Sequence, residues 1–366
     1  MTRHRILAMD GGISGYITAE VLRRAAARVG REGEHFLDRA DIIAGTSAGG
    51  LNALFLAAHD NPDLAMDHAL SFWEHILDTS FTFKPSRILA GFVGAKAFDD
   101  RRRMIDFLIE YFGADTRLGD LKRKVVIPAF QLHHEGSDPR GRQWRPRLFH
   151  NIPGITDYSP DELVVDVAMR TSNVPVISPI FAGIHGGDTG YLDGGLVANN
   201  PSMCAVSALL ELRRAAGQPL DVESISVLSV GCGRKPLSVK PEIVDGIADW
   251  GYGQWMLSPK EPMLLVRLAI RGGGAIIEYQ CSQLLGANFK RIDPYFNSSP
   301  HPFDLAGTRE AIAEALAHTD VEAAVDEICH WLHTQGWLDD MPPGRQPAGQ
   351  PTAPDPHSAV VLEQEP

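Results

Sequence analysis

The residues of this chain whose types and spacing could do chemistry sit at three glycine-rich turns. The sharpest is "DIIAGTSAGGLNAL", Asp41 to Leu54. An apolar run ends in a glycine, one serine stands between small residues, and two more glycines open a second apolar run. Gly45-Thr46-Ser47-Ala48-Gly49 fits G-x-S-x-G, the pattern of a nucleophile elbow. A tight strand-to-helix turn lifts such a serine above a sheet edge, and flanking glycines remove Cβ atoms that would collide across the turn. The helix that follows aims its first N–H groups at the serine, where negative charge would develop. A turn whose serine merely caps a helix carries the same letters, so the motif alone does not decide.

The other two turns are "AMDGGISG", containing Asp10 to Gly15, and "YLDGGLVANNP", Tyr191 to Pro201. In a doubly wound sheet, turns at strand ends converge on one crevice. Ser47 is a weak nucleophile until a base takes its proton. Asp193 can be that base, on a turn whose glycines permit close approach. Gly11 and Gly12, together with Ala48, can offer backbone N–H groups to a tetrahedral oxyanion. Each Asp-Gly-Gly read alone is equally a plain turn former. "DGGISG" is neither a Walker motif nor a good G-x-G-x-x-G, so a phosphate-binding reading is weak. His133, His134, His150 and His185 stand as alternative bases, each also at home on a loop or in a core.

Short strands alternating with helices must position these turns. Strands are expected at Arg5–Met9, Asp41–Ala44, Lys124–Leu132 and Ser224–Val230, with Arg147–His150 continuing the sheet after a polar loop "HHEGSDPRGRQ". Helices are expected at 17–29, 51–58, 61–77, 101–112, 160–170, 202–215, 308–318 and 323–333. Residues 79–99, which mix aromatics, glycine and lysine without period, read as a loop or lid. The alternation predicts an α/β class with a largely parallel sheet and helices on both faces.

In combination the turns resemble the patatin-like phospholipase family. The resemblance rests on "DGGISG", on "GTSAGG" some thirty residues later, on "RTSNVPVISP" from Arg170 to Pro179, and on "LDGGLVANNP". It covers residues 5 to 235, with weaker similarity beyond. It implies a three-layer α/β/α fold and a Ser-Asp dyad lipid acyl hydrolase. On the matching positions Ser47 is the nucleophile, Asp193 the base, and Gly11-Gly12 the oxyanion turn. The implied substrate is phospholipid at a membrane or micelle surface, with no metal or organic cofactor, and regulation by an activator is compatible with it. The first motif departs from the family's D-G-G-G-x-R-G: it is one residue shorter, and Ser14 stands where arginine is usual. An acyltransferase, a triad hydrolase or a non-catalytic lipid-binding module on the same fold are the rival readings.

Composition bounds the rest. The chain has 366 residues, a net charge of -12, and hydrophobic and charged shares of 44% and 22%. That acidic balance argues against broad nucleic-acid binding and against docking on anionic membranes by bulk charge, so membrane contact is expected to be local and apolar. Four scattered cysteines, without C-x-x-C or zinc spacing, suit reduced thiols. "MTRHRILAMDGG" enters a strand without a secretory pattern, and no apolar run spans a bilayer. A cytoplasmic protein, peripheral at membranes, is the expectation. Residues 1–340 read as one acyl hydrolase domain, and the Pro-, Gly- and Gln-rich segment 341–366 as a disordered tail.

Overall fold

The computed structural model describes residues 3–12, 15–30, 35–79, 97, 101–135, 142–218, 221–234, 238–258, 263–295, 312–314, 316–317, 319–335 and 337–338. Its elements run β1 (His4–Met9), α1 (Gly15–Val29), β2 (Ile42–Gly45), α2 (Ala48–Ala58), α3 (Pro62–Thr79), α4 (Arg102–Phe112), β3 (Val125–Glu135), β4 (Arg142–His150), α5 (Val164–Thr171), β5 (Tyr191–Asp193), α6 (Gly195–Ala198), α7 (Ser202–Ala215), β6 (Ile225–Val230), α8 (Tyr252–Met256), α9 (Leu264–Leu285), β7 (Phe289–Ile292) and α10 (Thr319–Thr334). The expected lid at 79–99 apart from Thr79 and Ala97, most of the helix expected at 308–318, and the tail at 341–366 lie outside the described residues.

Seven strands form one sheet in the order β4-β3-β2-β1-β6-β7, with β5 also paired to β3. Strands β3, β2, β1, β6 and β7 are parallel, whereas β4 and β5 run antiparallel to β3. Period-2 alternation sorts the strand residues onto two apolar faces. Leu7, Met9, Ile43, Val125, Ile127, Leu228 and Val230 pack towards α1, α2, α3, α5 and α10. Ile6, Ala8, Ile42, Ala44, Val126 and Val227 pack towards α7 and the end of α9. The result is the expected three-layer α/β/α arrangement.

Local chemistry explains the boundaries that differ from expectation. The helix expected from Pro160 begins at Val164, because the carbonyls of Pro160 and Glu162 accept from Gly119 and Leu118 and so cannot start helical bonds. His133 and His134 belong to β3, not to a loop, since β3 and β4 extend their antiparallel pairing past a bulge between Gln131 and His134. Asn61 does start α3, its Oδ1 accepting from the N–H groups of Asp63 and Leu64. The last helix, α10, docks on α1 through Val321, Val325, Ile328 and Leu332, all buried at helical spacing. Burying each is worth roughly 1.5–3 kcal/mol. The bonds from Arg24 and Arg28 to Glu322 along its edge add less, being partly open to solvent.

Candidate active site

The turn after β2 is built around a strained residue. Ser47 has φ 52° and ψ -119°, a conformation that costs a non-glycine residue about 1–3 kcal/mol. Two glycines make it possible. A Cβ on Gly45 would strike the Gly49 carbonyl, and one on Gly49 would strike the carbonyl of Met9. α2 starts at the next residue, so the N–H groups of Ala48 and Gly49 open a helix and have no partner within it.

Asp193 reaches Ser47 because of how β2 and β5 share one edge of β3. β2 is parallel to β3 at Ile43↔Val125 and Ala44↔Val126. β5 is antiparallel to the same strand at Ala129↔Asp193. The two short strands therefore meet end to end. Pro128 sits at the break between them. Leu132 donates its N–H to Gly190 on this edge, so by alternation the Pro128 nitrogen faces it too. A proline leaves no ladder donor orphaned there. Arg170 steadies β5, its guanidinium 4.5 Å from the Tyr191 ring centroid and 5.3 Å from that of Phe149.

At the junction Ser47 Oγ donates to Asp193 Oδ2 at 2.7 Å. Asp193 Oδ1 accepts from the Gly195 N–H at 2.6 Å, which fixes the carboxylate plane. Both side chains are buried, Asp193 at 3% exposure and Ser47 at 9%. Burial raises the Asp193 carboxyl from 3.8 to about 6, while its bonds to Gly195 and Ser47 and the charge of Arg101 pull the other way. It is thus a better base than a free aspartate, yet still ionised at neutral pH.

The oxyanion turn is more selective than expected. Gly11 lies against Ser47, an added Cβ falling 3.1 Å from Ser47 Cβ. Its N–H, however, donates to the Asn199 carbonyl at 3.0 Å. In this arrangement the Gly11 N–H is engaged by Asn199, and the glycine lets the turn lie close to Ser47. Gly12, the next residue, is exposed, and its N–H has no partner among the described residues. Both ring nitrogens of His150 are engaged away from Ser47. Its ring Nε2 bonds the Thr156 carbonyl at 2.7 Å, and Nδ1 accepts from the Ile152 N–H.

Three site residues escaped the sequence reading. Thr171, the last residue of α5, accepts the Ser47 N–H and donates to the Pro128 carbonyl at 2.6 Å, which pins the strained turn. It lay inside the quoted "RTSNVPVISP" but drew no role of its own. Arg101, which opens the helix expected at 101–112, donates to the carbonyl and hydroxyl of Ser172, and its charge acts on the Asp193 carboxyl. Arg291 bonds Asp10 bidentately at 2.8 and 2.6 Å. A lone arginine between strand residues gives no local signal of such a partner 281 positions away.

With this geometry in view, a sequence model described as patatin-like phospholipase matches residues 7–206. The chain belongs to the patatin-like phospholipase family. A Bacillus subtilis protein named as a sporulation hydrolase, CotR, is 30% identical over 319 residues, covering 80% of this chain and 88% of its own. A cGAMP-activated phospholipase of Pseudomonas aeruginosa is 30% identical, covering 80% and 78%. Patatin-like protein 3 of Arabidopsis thaliana is 26% identical, covering 79% and 73%. Within this family the chain is a lipid hydrolase. Asp10, Ser47, Asp193 and Thr171 all fall inside the matched segment, and Arg291 falls outside it.

Proposed function

We propose that this patatin-like phospholipase is a phospholipase A-type acyl hydrolase that cleaves glycerophospholipid esters through a Ser47–Asp193 dyad. The 2.7 Å bond between Ser47 Oγ and Asp193 Oδ2 carries the reading. Ser47 Oγ attacks the ester carbonyl carbon while its proton passes to Asp193. The carbonyl oxygen becomes an oxyanion held by the N–H groups of Gly12 and Ala48. The C–O bond to the alcohol then breaks, and the proton returns from Asp193 to the departing alkoxide. Water repeats the sequence on the acyl-serine: Asp193 takes its proton, the acid leaves, and Ser47 recovers its hydrogen.

The surface beside the site supports a lipid interface. α9 packs against α6, the short helix after Asp193. It turns Leu265, Leu268, Ile276 and Tyr279 to solvent, at 52%, 41%, 52% and 62% exposure. Their spacing of three, eight and three residues puts them along one face of the helix. Leu257 and Tyr252 of the preceding segment are exposed as well. Such a stripe suits contact with acyl chains and headgroup edges without a basic patch. Among the described residues no helix is long and apolar enough to cross a membrane.

The deciding experiment is lipid mass spectrometry after incubation with a mixed phospholipid extract, wild type against Ser47→Ala. Lysophospholipid and free fatty acid should accumulate with the wild type alone; an unchanged lipid profile would overturn the phospholipase reading. Hydrolysis of a soluble p-nitrophenyl ester should also survive exhaustive chelation, because the proposed oxyanion donors are backbone dipoles. Loss of that activity with EDTA and its return with calcium would overturn the dyad as sufficient. The acid limb of kcat/KM should fall near pH 6, where Asp193 protonates, with activity present above and lost below. Carboxylate ionisation has a small enthalpy, so this limb should hardly move with temperature. A limb that shifts strongly on warming would mark an imidazole instead.

A further inference from the structure

We propose that Arg291, on β7 and outside the family-matched segment, is a positioning residue that sets the angle of the Gly11–Gly12 oxyanion turn. The inference rests on the dyad reading above and extends it to a residue far along the chain. Arg291, Ser229 and Asp10 share one face of the sheet. Ser229 is the β6 partner of Arg291 in the strand register, and Asp10 follows the end of β1, its N–H donating to the Val230 carbonyl.

One guanidinium holds both flanks of the turn. Its Nη1 donates to Asp10 Oδ1 at 2.8 Å and its Nη2 to Asp10 Oδ2 at 2.6 Å. This planar two-point grip fixes the residue immediately before Gly11. Nη1 also donates to Ser229 Oγ at 2.9 Å, and Ser229 Oγ accepts from Asn200 Nδ2 at 3.2 Å. Asn200 follows Asn199, whose carbonyl receives the Gly11 N–H. The fork thus ties down the donor side of that hydrogen bond directly and the acceptor side through two side chains. Asp293 completes the frame: its Oδ2 accepts from Nη2 at 3.1 Å, and its Oδ1 accepts from the Gly233 N–H at 3.0 Å. Glu278 Oε2 of α9 stands 3.7 Å from Nε.

The arrangement is dry and costly unless complete. Asp10 is 5% exposed, and burial lifts its carboxyl to about 6 against the pull of Arg291. A lysine at 291 keeps the positive charge but has one nitrogen, so it cannot grip both Asp10 oxygens in plane and reach Ser229. The turn would stay folded while the Gly12 N–H wanders from the oxyanion. Donors off their line weaken transition-state binding and leave ground-state binding intact.

The test compares wild type, Arg291→Lys, Ser229→Ala and Ser47→Ala on a soluble p-nitrophenyl ester, with an alkyl trifluoromethyl ketone as a tetrahedral-adduct inhibitor. For Arg291→Lys, kcat should fall roughly 10- to 100-fold and the inhibition constant should rise in parallel, with KM within about twofold and the melting temperature little changed. Ser229→Ala keeps the Asp10–Arg291 pair and cuts the branch to Asn200. It should lose about 3- to 10-fold in kcat, and it decides the matter if Arg291→Lys does not fold. Wild-type kcat and inhibition in a folded Arg291→Lys, or a loss confined to KM, would overturn the positioning role. If Arg291→Lys does not fold, wild-type kcat in Ser229→Ala overturns it. Turnover persisting in Ser47→Ala overturns the dyad itself, whatever Arg291 does.

Discussion

Asp193→Asn should lower kcat for phospholipid and for soluble esters by about 10³-fold, the size of a lost general base, while making the protein more stable at pH 8. Both effects come from one buried carboxylate. The amide keeps the shape and can still accept the Gly195 N–H, but it offers Ser47 no basic oxygen. The stability gain follows from linkage. Asp193 takes up its proton near pH 6 when folded, against 3.8 as the ordinary value. Between those values the folded chain binds more proton than the unfolded one, so stability falls as pH rises through the interval. Above it the full penalty, up to about 3 kcal/mol, is in force. Asparagine removes that penalty. Melting curves of the two proteins should differ at pH 8 and converge near pH 4. An active Asp193→Asn enzyme would end the dyad assignment. Equal melting temperatures at pH 8 would show that the carboxylate is not destabilising where it sits.

Ser47→Ala should reduce turnover by at least about 10⁴-fold, since no covalent intermediate can form. Ser47→Gly should be equally inactive, and the pair separates chemistry from backbone strain. Alanine at this position keeps the disallowed φ of 52° and strips Asp193 of its hydroxyl partner. Glycine loses the same bond but accepts the conformation at no steric cost, which is worth about 1 kcal/mol or more. The glycine variant should therefore melt above the alanine variant. A fluorophosphonate probe should label the wild type and neither mutant. Labelling that persists in both would move the nucleophile elsewhere.

What could be read in the sequence was what local sterics control. The Ser47 elbow, the Asp193 turn and the strand ends before them carry glycines that a Cβ would jam against backbone, and such positions announce themselves in a few letters. The helix bounds at Ser202 and Asn61 were legible from the Asn and Pro beside them. The misses are non-local or locally contradictory. α9 is continuous through Gly272-Gly273-Gly274, three residues that each disfavour a helix by nearly 1 kcal/mol, and tertiary contact overrides them. β7 is four residues long and shows no strand signal apart from its pairing with β6. Gly11 was assigned as a donor because its type permits it, and only the fold shows its N–H turned to Asn199. Thr171, Arg101 and Arg291 act through partners that neither their type nor their neighbours reveal.

β1 lies between β2 and β6, so it acquires one of its two neighbours only after residue 225 has been synthesised. Pairing His4 with Ile225 closes a loop of well over half the chain. Closing so long a loop makes folding slow, because the loop entropy is lost before the contact repays it. On the ribosome the nascent chain will already carry its serine elbow, its aspartate and the strands β2, β3 and β5 that bring them together, yet the sheet will still lack β6 and β7 on the far side of β1. A lipid hydrolase with this strand order closes its sheet late in its own translation, when β6 and β7 join beyond β1 and bring Arg291 to Asp10.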